Sequence, residues 1–362
     1  MKERFLILAN NSDGLYGFRK ELLQALAAKG EVFASIPDNG WFAELEALGC
    51  RVIETPVDRR GINPVTDLKL LLRYIRMIRK LDPTRVMTYT IKPNIYGAIA
   101  CRLRGVPYAV NITGLGTTFQ KNGLLRSFVI ALYALALRKA SVVFFENCGN
   151  MQTMLDLGIV RHQQCCLLNG AGVNLERYTM FGYPADSETV RFLFIGRVMA
   201  EKGVNELFAA MERLVSEGHR CTLDVLGYYE EDYKDIIDRY TRQGWLHYHG
   251  FQPDVKPFIE KSHCFVLPSW HEGMANTNLE CAAMGRPLIT SNIHGCMEAV
   301  VEDVSGLLCE PRNTDSLYRA MKRFLTMSAP ERAAMGAAGR RHMEEVFDKK
   351  KVVEDTVRGM QL

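Results

Sequence analysis

The chain has 362 residues, 48% hydrophobic and 24% charged, an ordinary globular composition long enough for two cores, which excludes disordered, collagen-like and low-complexity classes. Its net charge of +4 hides an asymmetry: residues 1–168 carry 22 Lys+Arg against 13 Asp+Glu, net +9, and the remainder carries 23 against 28, net −5. A basic first half predicts an anionic ligand or surface there, a phosphate or a membrane.

The opening "MKERFLILANN" has too short an apolar run for a signal peptide, and "RFLILAN" (4–10) reads as a first strand. "NNSDGLYGFRKELL" (10–23) then sets Gly14 and Gly17 before a helix, where a glycine turn lets a phosphate approach exposed amides, although no full G-x-G-x-x-G is present. Strands follow at "EVFASIP" (31–37) and "RVIETPV" (51–57). In the next helix, "LKLLLRYIRMIRKL" (68–81), Lys69, Arg73, Arg76 and Lys80 fall on one side. Leu68, Leu71, Leu72, Ile75 and Ile78 fall on another, with Arg79 among them. That pattern fits a membrane-surface element, or a helix packed on its own sheet with solvated charges. "RVMTYT" (85–90), "YAVNI" (108–112) and "SVVFFEN" (141–147) complete the strands of the first half. The apolar "SFVIALYALAL" (127–137) has 11 residues between Arg126 and Arg138, short of the roughly 20 a spanning helix needs.

A Gly-rich turn in "LLNGAGVNLERY" (167–178) marks a domain boundary, placed at 168/169. The second half repeats the alternation with "VRFLFIG" (190–196), "TLDVLG" (222–227), "WLHYHG" (245–250), "CFVLPS" (264–269), "PLIT" (287–290) and "GLLCE" (306–310). Near-continuous apolar strands separated by helices imply parallel sheets covered on both faces, hence α/β architecture with two Rossmann-like doubly wound domains. Ligands of such sheets sit at the carboxyl ends of strands, and with two domains the inter-domain cleft is the natural site. The domains run 1–168 and 169–345, with a C-terminal helix at 346–362 that crosses back to the first. Ten scattered cysteines without a C-x-x-C read as reduced, structural thiols of a cytosolic protein.

Two junctions of the second half carry chemistry. "FLFIGRVMAEKG" (192–203) places Gly196 and Arg197 at a strand's end and Lys202 at a helix start, where a cation opposes the helix dipole and so points to an anionic ligand. "HEGMANTNLE" (271–280) follows an apolar strand with Glu272 and Glu280. Asn276 or Thr277 is the N-cap candidate, and the amides of Met274 to Thr277 are expected to face a phosphate. Spacing alone leaves two readings open, helix-capping acids or a clamp on sugar and ribose hydroxyls. "YYEEDY" (228–233) reads as a solvated acidic face at a helix start.

These residues resemble a known family. Glu272 and Glu280 match the E-x7-E motif of the GT-B glycosyltransferases of family 4, within "LPSWHEGMANTNLECAAMGRPLIT". "GRVMAEKG" is similar to that family's GR-x4-KG, "NGAGVNLERY" to its NGVD turn, and "NIHGCMEAV" (292–300) to its Gly-Gly-x-x-Glu region. "TYTIKPNIYGAIACRLRGVPYAVNITGLGTTF" (88–119) resembles the transferases that extend undecaprenyl-diphosphate-linked saccharides. The resemblance implies a GT-B fold, a UDP-sugar donor and a polyprenyl-diphosphate-linked saccharide acceptor. It further implies peripheral attachment at the inner face of a bacterial cytoplasmic membrane through the basic first half, with no nucleic acid partner. Residue by residue, it implies that Arg197 and Lys202 bind the donor diphosphate, Glu280 holds the ribose and Glu272 contacts the transferred sugar. Gly14 admits the acceptor and β-phosphate, Thr113 reaches the donor sugar and Phe251 faces the nucleotide base. Gly196, His271, Gly273, Met274, Ala275, Asn276 and Thr277 line the donor.

Many members of that family carry a histidine where this chain has Thr113, and no histidine precedes His162, so a first-domain imidazole is not the general base. "GVN" at 172–174 and His294 in place of the first glycine of Gly-Gly-x-x-Glu are lesser departures. The matched family retains anomeric configuration, either through a glycosyl-enzyme on Glu272 or with the leaving phosphate accepting the acceptor's proton. With few protein bases left, the second route is expected. No D-x-D triplet occurs, so with two cations on the diphosphate no metal or other cofactor is expected. The rival readings are a sugar-nucleotide epimerase of the same fold, a dinucleotide oxidoreductase, whose glycine fingerprint is missing, and a non-catalytic nucleotide-sugar binder.

Overall fold

Runs such as Phe5–Leu8 and Phe192–Ile195 have no polar side to offer water, and all eight residues are buried. Such strands are stable only when helices cover both faces of their sheet. The structure, a computed structural model, describes residues 3–58, 61, 63–116, 119, 123–185 and 188–361. It divides into two units, Met1–Ala171 with Lys349–Leu362, and Gly172–Asp348.

The strands of the first unit are β1 (Glu3–Leu8), β2 (Gly30–Ile36), β3 (Cys50–Glu54), β4 (Arg85–Tyr89), β5 (Tyr108–Ile112), β6 (Val142–Phe145) and β7 (Cys165–Leu167). They form one parallel sheet in the order β3-β2-β1-β4-β5-β6-β7. Its helices are α1 (Ser12–Ala27), α2 (Phe42–Ala47), α3 (Pro64–Leu81), α4 (Ala98–Arg104), α5 (Leu124–Leu137) and α6 (Cys148–Asp156). On one face, Leu70, Tyr74 and Ile78 of α3, Cys101 of α4 and Tyr133 and Leu137 of α5 pack on Leu6, Leu8, Val86 and Val110. The opposite face buries Leu15, Leu22 and Leu26 of α1 and Leu45 of α2 against Phe5, Ile7, Met87 and Phe144. Fully burying one such side chain stabilises by about 1.5–3 kcal/mol.

The second unit repeats the plan with β8 (Val190–Ile195), β9 (Cys221–Leu226), β10 (Leu246–Gly250), β11 (Cys264–Leu267), β12 (Leu288–Ser291) and β13 (Gly306–Cys309). The sheet order is β10-β9-β8-β11-β12-β13, all parallel. Its helices are α7 (Val204–Ser216), α8 (Lys234–Arg242), α9 (Lys256–Lys261), α10 (Asn276–Ala283), α11 (Thr314–Thr326) and α12 (Ala329–Val346). Local sequence sets several helix starts: Asn313 caps α11 through its side chain, and Ser328 with Glu331 forms a capping box on α12. α13 (Lys349–Gly359) belongs to the first unit, where Val352 joins the α1 face and Lys349 Nζ donates to the Phe18 carbonyl at 3.1 Å. In each sheet the chain starts centrally, runs to one edge and then jumps back, so the order reverses at β1/β4 and at β8/β11. Doubly wound sheets bind ligands at the carboxyl ends of strands beside such a reversal.

The two-sheet α/β fold agrees with the sequence reading, and several local features correct it. Three-residue β7 was not foreseen, because the Cys165-Cys166 pair has little strand character of its own and is carried by pairing with β6. Gly14 and Gly17 lie inside α1 rather than before it, since the Asn11 side chain accepts from the Asp13 amide at 3.1 Å and starts the helix at Ser12. On α3 the buried face is Leu70, Tyr74 and Ile78, so of the apolar side named above Ile78 is buried while Leu68 and Leu72 are exposed. All ten cysteines are free, seven of them buried. Among the described residues, no helix is long and apolar enough to cross a membrane.

Candidate functional site

β8 and β11 are neighbours in register, Cys264 opposite Phe192 and Phe265 opposite Leu193. Their carboxyl ends therefore open side by side at the point of reversal. After β8 come Gly196 and Arg197, then one tight turn, Ala200–Lys202, closed by Gly203 at φ +73°. A Cβ on Gly203 would stand 2.0 Å from the Pro268 carbonyl oxygen, so only glycine lets this turn lie against the end of β11. The Trp270 amide donates to the Glu201 carbonyl at 2.9 Å, tying the two loops together.

That contact brings Lys202 onto Glu272. Their side chains form an ion pair, 20% and 12% exposed, and Ser269 Oγ donates to the same Glu272 Oε1 at 2.7 Å. His271 Nε2 lies 3.6 Å from Glu201 Oε2. Gly295, at φ +90°, lets the 292–296 loop press on this segment, since a Cβ there would meet the Glu272 carbonyl oxygen at 2.7 Å. Glu298 Oε2 accepts from the Gly295 amide at 2.7 Å and fixes the loop from behind. Cys296 is buried in this corner; burial first, and then the Glu272 carboxylate, push its thiol well above the usual range, so it is an inert packing group.

α10 starts at Asn276 with Ala275 as its N-cap and no side-chain cap, which replaces the expected Asn276 or Thr277 cap. The Ala275 amide is held by the Gly295 carbonyl at 2.7 Å and the Asn276 amide by that of Met274 at 3.0 Å. Two of the four amides expected to face a phosphate are thus engaged within the protein. Met274 and Ala275 are buried, while Gly273, Asn276 and Thr277 are half-buried. Asn276 Oδ1 and His271 Nδ1 are buried and find no hydrogen-bond partner among the described residues. Orphaned polar atoms of this kind call for an explanation, and a ligand supplies one. Glu280, one turn into α10, shares a hydrogen bond with Tyr178, whose phenol is pushed up by burial and then by the Glu280 charge.

Arg197 NH1 lies 3.4 Å from Glu230 Oε2. The "YYEEDY" segment is therefore not a plain solvated face. It precedes α8, and the Glu231 side chain accepts from the Ala200 amide at 2.8 Å. Phe251, just past β10, is 63% exposed. Two cations, a helix start and two orphaned polar atoms thus meet beside a point of reversal, the elements from which an anion site is built.

In the first unit, Gly14 on α1 follows β1, and half-buried Thr113 directly follows β5, with β4 lying between those strands. The same carboxyl edge holds a cluster that the sequence reading missed. Arg19 of α1 pairs with Glu146 after β6, Asn111 Nδ2 donates to Glu146 Oε1 at 2.9 Å, and the Arg19 guanidinium lies 5.0 Å from the Tyr89 ring centroid. Burial alone would lower the Arg19 pKa, but Glu146 holds it above the usual value. At the end of β4, Thr90 is held at φ +71°, a conformation costly for a β-branched residue, and a π-helical turn, Pro93–Gly97, follows. The available signals were an acid directly after the apolar "VVFF" and an arginine on the inner face of α1.

The description "Glycosyl transferases group 1" matches residues 179–342, and "Glycosyl transferase 4-like domain" matches residues 19–170. The chain is a group 1 glycosyltransferase. Its fold is GT-B: the Anabaena HepE protein, solved with UDP and glucose, superposes with a TM-score of 0.81 over 100% of this chain and 99% of its own, at 16% identity. A Campylobacter jejuni relative, the N,N'-diacetylbacillosaminyl-diphospho-undecaprenol alpha-1,3-N-acetylgalactosaminyltransferase, is 25% identical over 339 residues, 89% of each chain. An Escherichia coli UDP-Gal:alpha-D-GlcNAc-diphosphoundecaprenol alpha-1,3-galactosyltransferase is 24% identical, over 75% of this glycosyltransferase and 74% of that protein.

Proposed function

We propose that this glycosyltransferase moves a hexose or N-acetylhexosamine from a UDP-sugar to a polyprenyl-diphosphate-linked saccharide in bacterial surface-glycan assembly, with retention and without a metal. The observation that carries the reading is the meeting of Lys202 and Glu272 at the β8/β11 reversal, with Arg197 on the same strand end. The names of the Campylobacter and Escherichia coli relatives support the acceptor class. Arg197 and Lys202 neutralise the diphosphate as it leaves, Glu280 takes the ribose and Glu272 takes the sugar. Gly196, His271, Gly273, Met274, Ala275, Asn276 and Thr277 line the donor, Phe251 faces its base, and Gly14 and Thr113 serve the first-unit side.

Glu272 in this reading orients rather than attacks. Its Oε1 is tied to an ammonium and a hydroxyl, both of which draw off the electron density a nucleophile needs. The acceptor's proton then passes to the leaving phosphate on the face where the new bond forms, and the cations hold the charge that develops.

We assign the membrane contact to the α3–α4–α5 layer. Residues 83–145 contain eight Lys+Arg and no Asp or Glu, whereas residues 3–58 carry five against nine. The segment that carries α4 and α5 is therefore strongly basic. On α5, Leu124, Phe128 and Leu135 are exposed along one stripe, and on α3 so are Val65, Leu68 and Leu72. Apolar residues between basic ones suit an anionic lipid surface.

The test is direct. Incubated with a panel of UDP- and GDP-sugars and EDTA but no acceptor, the protein is expected to hydrolyse one UDP-sugar slowly. An isomerised donor would mean an epimerase, and an intact one a binder. A strict Mn²⁺ requirement would overturn metal independence.

A further inference from the structure

Both cations of the anion site are occupied by carboxylates of the chain itself, Lys202 by Glu272 and Arg197 by Glu230. Glu272 belongs to the sugar side of the site, but Glu230 has no role in the donor reading. Its position is built rather than incidental. Gly227, at φ +139°, lets its loop close on β8, since a Cβ there would meet the Gly196 carbonyl oxygen at 1.9 Å. The Val198 amide donates to the Tyr228 carbonyl at 3.0 Å, and the Glu230 amide donates back to the Val198 carbonyl at 3.1 Å. Tyr229 stacks on Tyr248 with ring centroids 4.7 Å apart. Backbone and stacking thus hold the loop, and the Glu230 carboxylate, 19% exposed, is delivered to Arg197.

We propose that Glu230 is an internal competitor for the donor diphosphate: it holds Arg197 in the empty site, gives way when the nucleoside diphosphate binds, and returns as that product leaves. The proposal rests on the reading of Arg197 as a diphosphate ligand. An ion pair at this exposure is weak enough to exchange, so its removal is expected to tighten diphosphate binding only about three- to tenfold. The benefit lies in turnover. A site with two bare cations would retain its spent nucleotide, and a carboxylate poised beside one of them speeds release.

Glu230→Gln keeps the shape of the side chain and removes its charge. Calorimetric titration with UDP is expected to give a Kd about three- to tenfold lower than wild type, while uridine, which has no diphosphate, binds both proteins equally. In an Arg197→Ala background the Glu230→Gln change is expected to have no effect on UDP, because its partner is gone. Unchanged or weaker UDP binding by a Glu230→Gln protein of native melting temperature overturns the proposal, and so does an equal gain for uridine. If wild type binds UDP but the variant does not differ from it, Glu230 alone is wrong. If wild type binds no nucleoside diphosphate at millimolar concentration, the donor reading fails with it.

Discussion

Gly203→Ala tests whether the β8–α7 turn is seated on β11 as the geometry requires. Two costs arise. A left-handed backbone burdens an alanine by about 1–2 kcal/mol, and Gly203 sits at φ +73°. The added methyl would also stand 2.0 Å from the Pro268 carbonyl oxygen, an overlap with backbone that no rotamer relieves. Overpacking of this sort costs a further ~1–3 kcal/mol, so the total is about 2–5 kcal/mol. For a unit of this size each kcal/mol lowers Tm by about 2–4 °C, which predicts a fall on the order of 10 °C. Gly218→Ala is the control: Gly218 has φ +83°, with nothing within 4 Å of the built Cβ, so it bears the backbone cost alone. Thermal unfolding followed by circular dichroism compares the two. Equal losses of about 1–2 kcal/mol in both variants would show that the turn does not press on Pro268, and the seating of Lys202 beside Glu272 would lose its explanation.

Glu272→Gln is expected to lower kcat by about 10²–10³-fold, while intact-mass spectrometry of wild type turning over its donor detects no glycosyl adduct; an adduct mapped to Glu272 refutes the orienting role. His263 is kept neutral, its pKa lowered to about 4 by burial and then by Arg332, with Nδ1 accepting from the Arg191 amide at 3.0 Å. Because the unfolded imidazole titrates near 6.5 and the folded one near 4, the unfolded state binds the extra proton in between. Stability is therefore full above pH 6.5 and falls as pH drops toward 4, by on the order of 2 kcal/mol after solvent screening. Denaturant titrations should show a flatter pH slope in His263→Gln, and an unchanged slope sinks the assignment. Vesicles of phosphatidylcholine with phosphatidylglycerol are expected to co-sediment wild type at low salt. Phe128→Glu with Leu135→Glu should release it without changing UDP binding, and undiminished sedimentation of that double variant rules out the α5 face.

How far the sequence could be read follows from how local each signal is. Among the described residues, twelve of the thirteen strands announce themselves, most of them because a doubly covered parallel strand is apolar at nearly every position, as in "RFLIL" and "CFVL". The exception, β7, exists only through its neighbour. Helix starts were less legible at glycines: Gly14 and Gly17 read as a loop, yet one capping side chain, Asn11, outweighs their poor helix propensity. On the site, the motif residues on one strand end were visible, since Arg197 and Lys202 share a short stretch of chain. Which carboxylates would pair with them was not. Glu230 and Glu272 come from other strand ends, and only the order β10-β9-β8-β11 brings them to flank the β8 turn from opposite sides. The same holds for Arg19 with Glu146, which belong to α1 and to the end of β6. A spacing motif records which residues a ligand needs from one segment, whereas a charge neutralised across the sheet leaves no spacing at all. It follows that the acids most informative about this site are those outside any motif, and that Glu230, rather than either glutamate of the E-x7-E pair, separates a site tuned for release from one tuned only for binding.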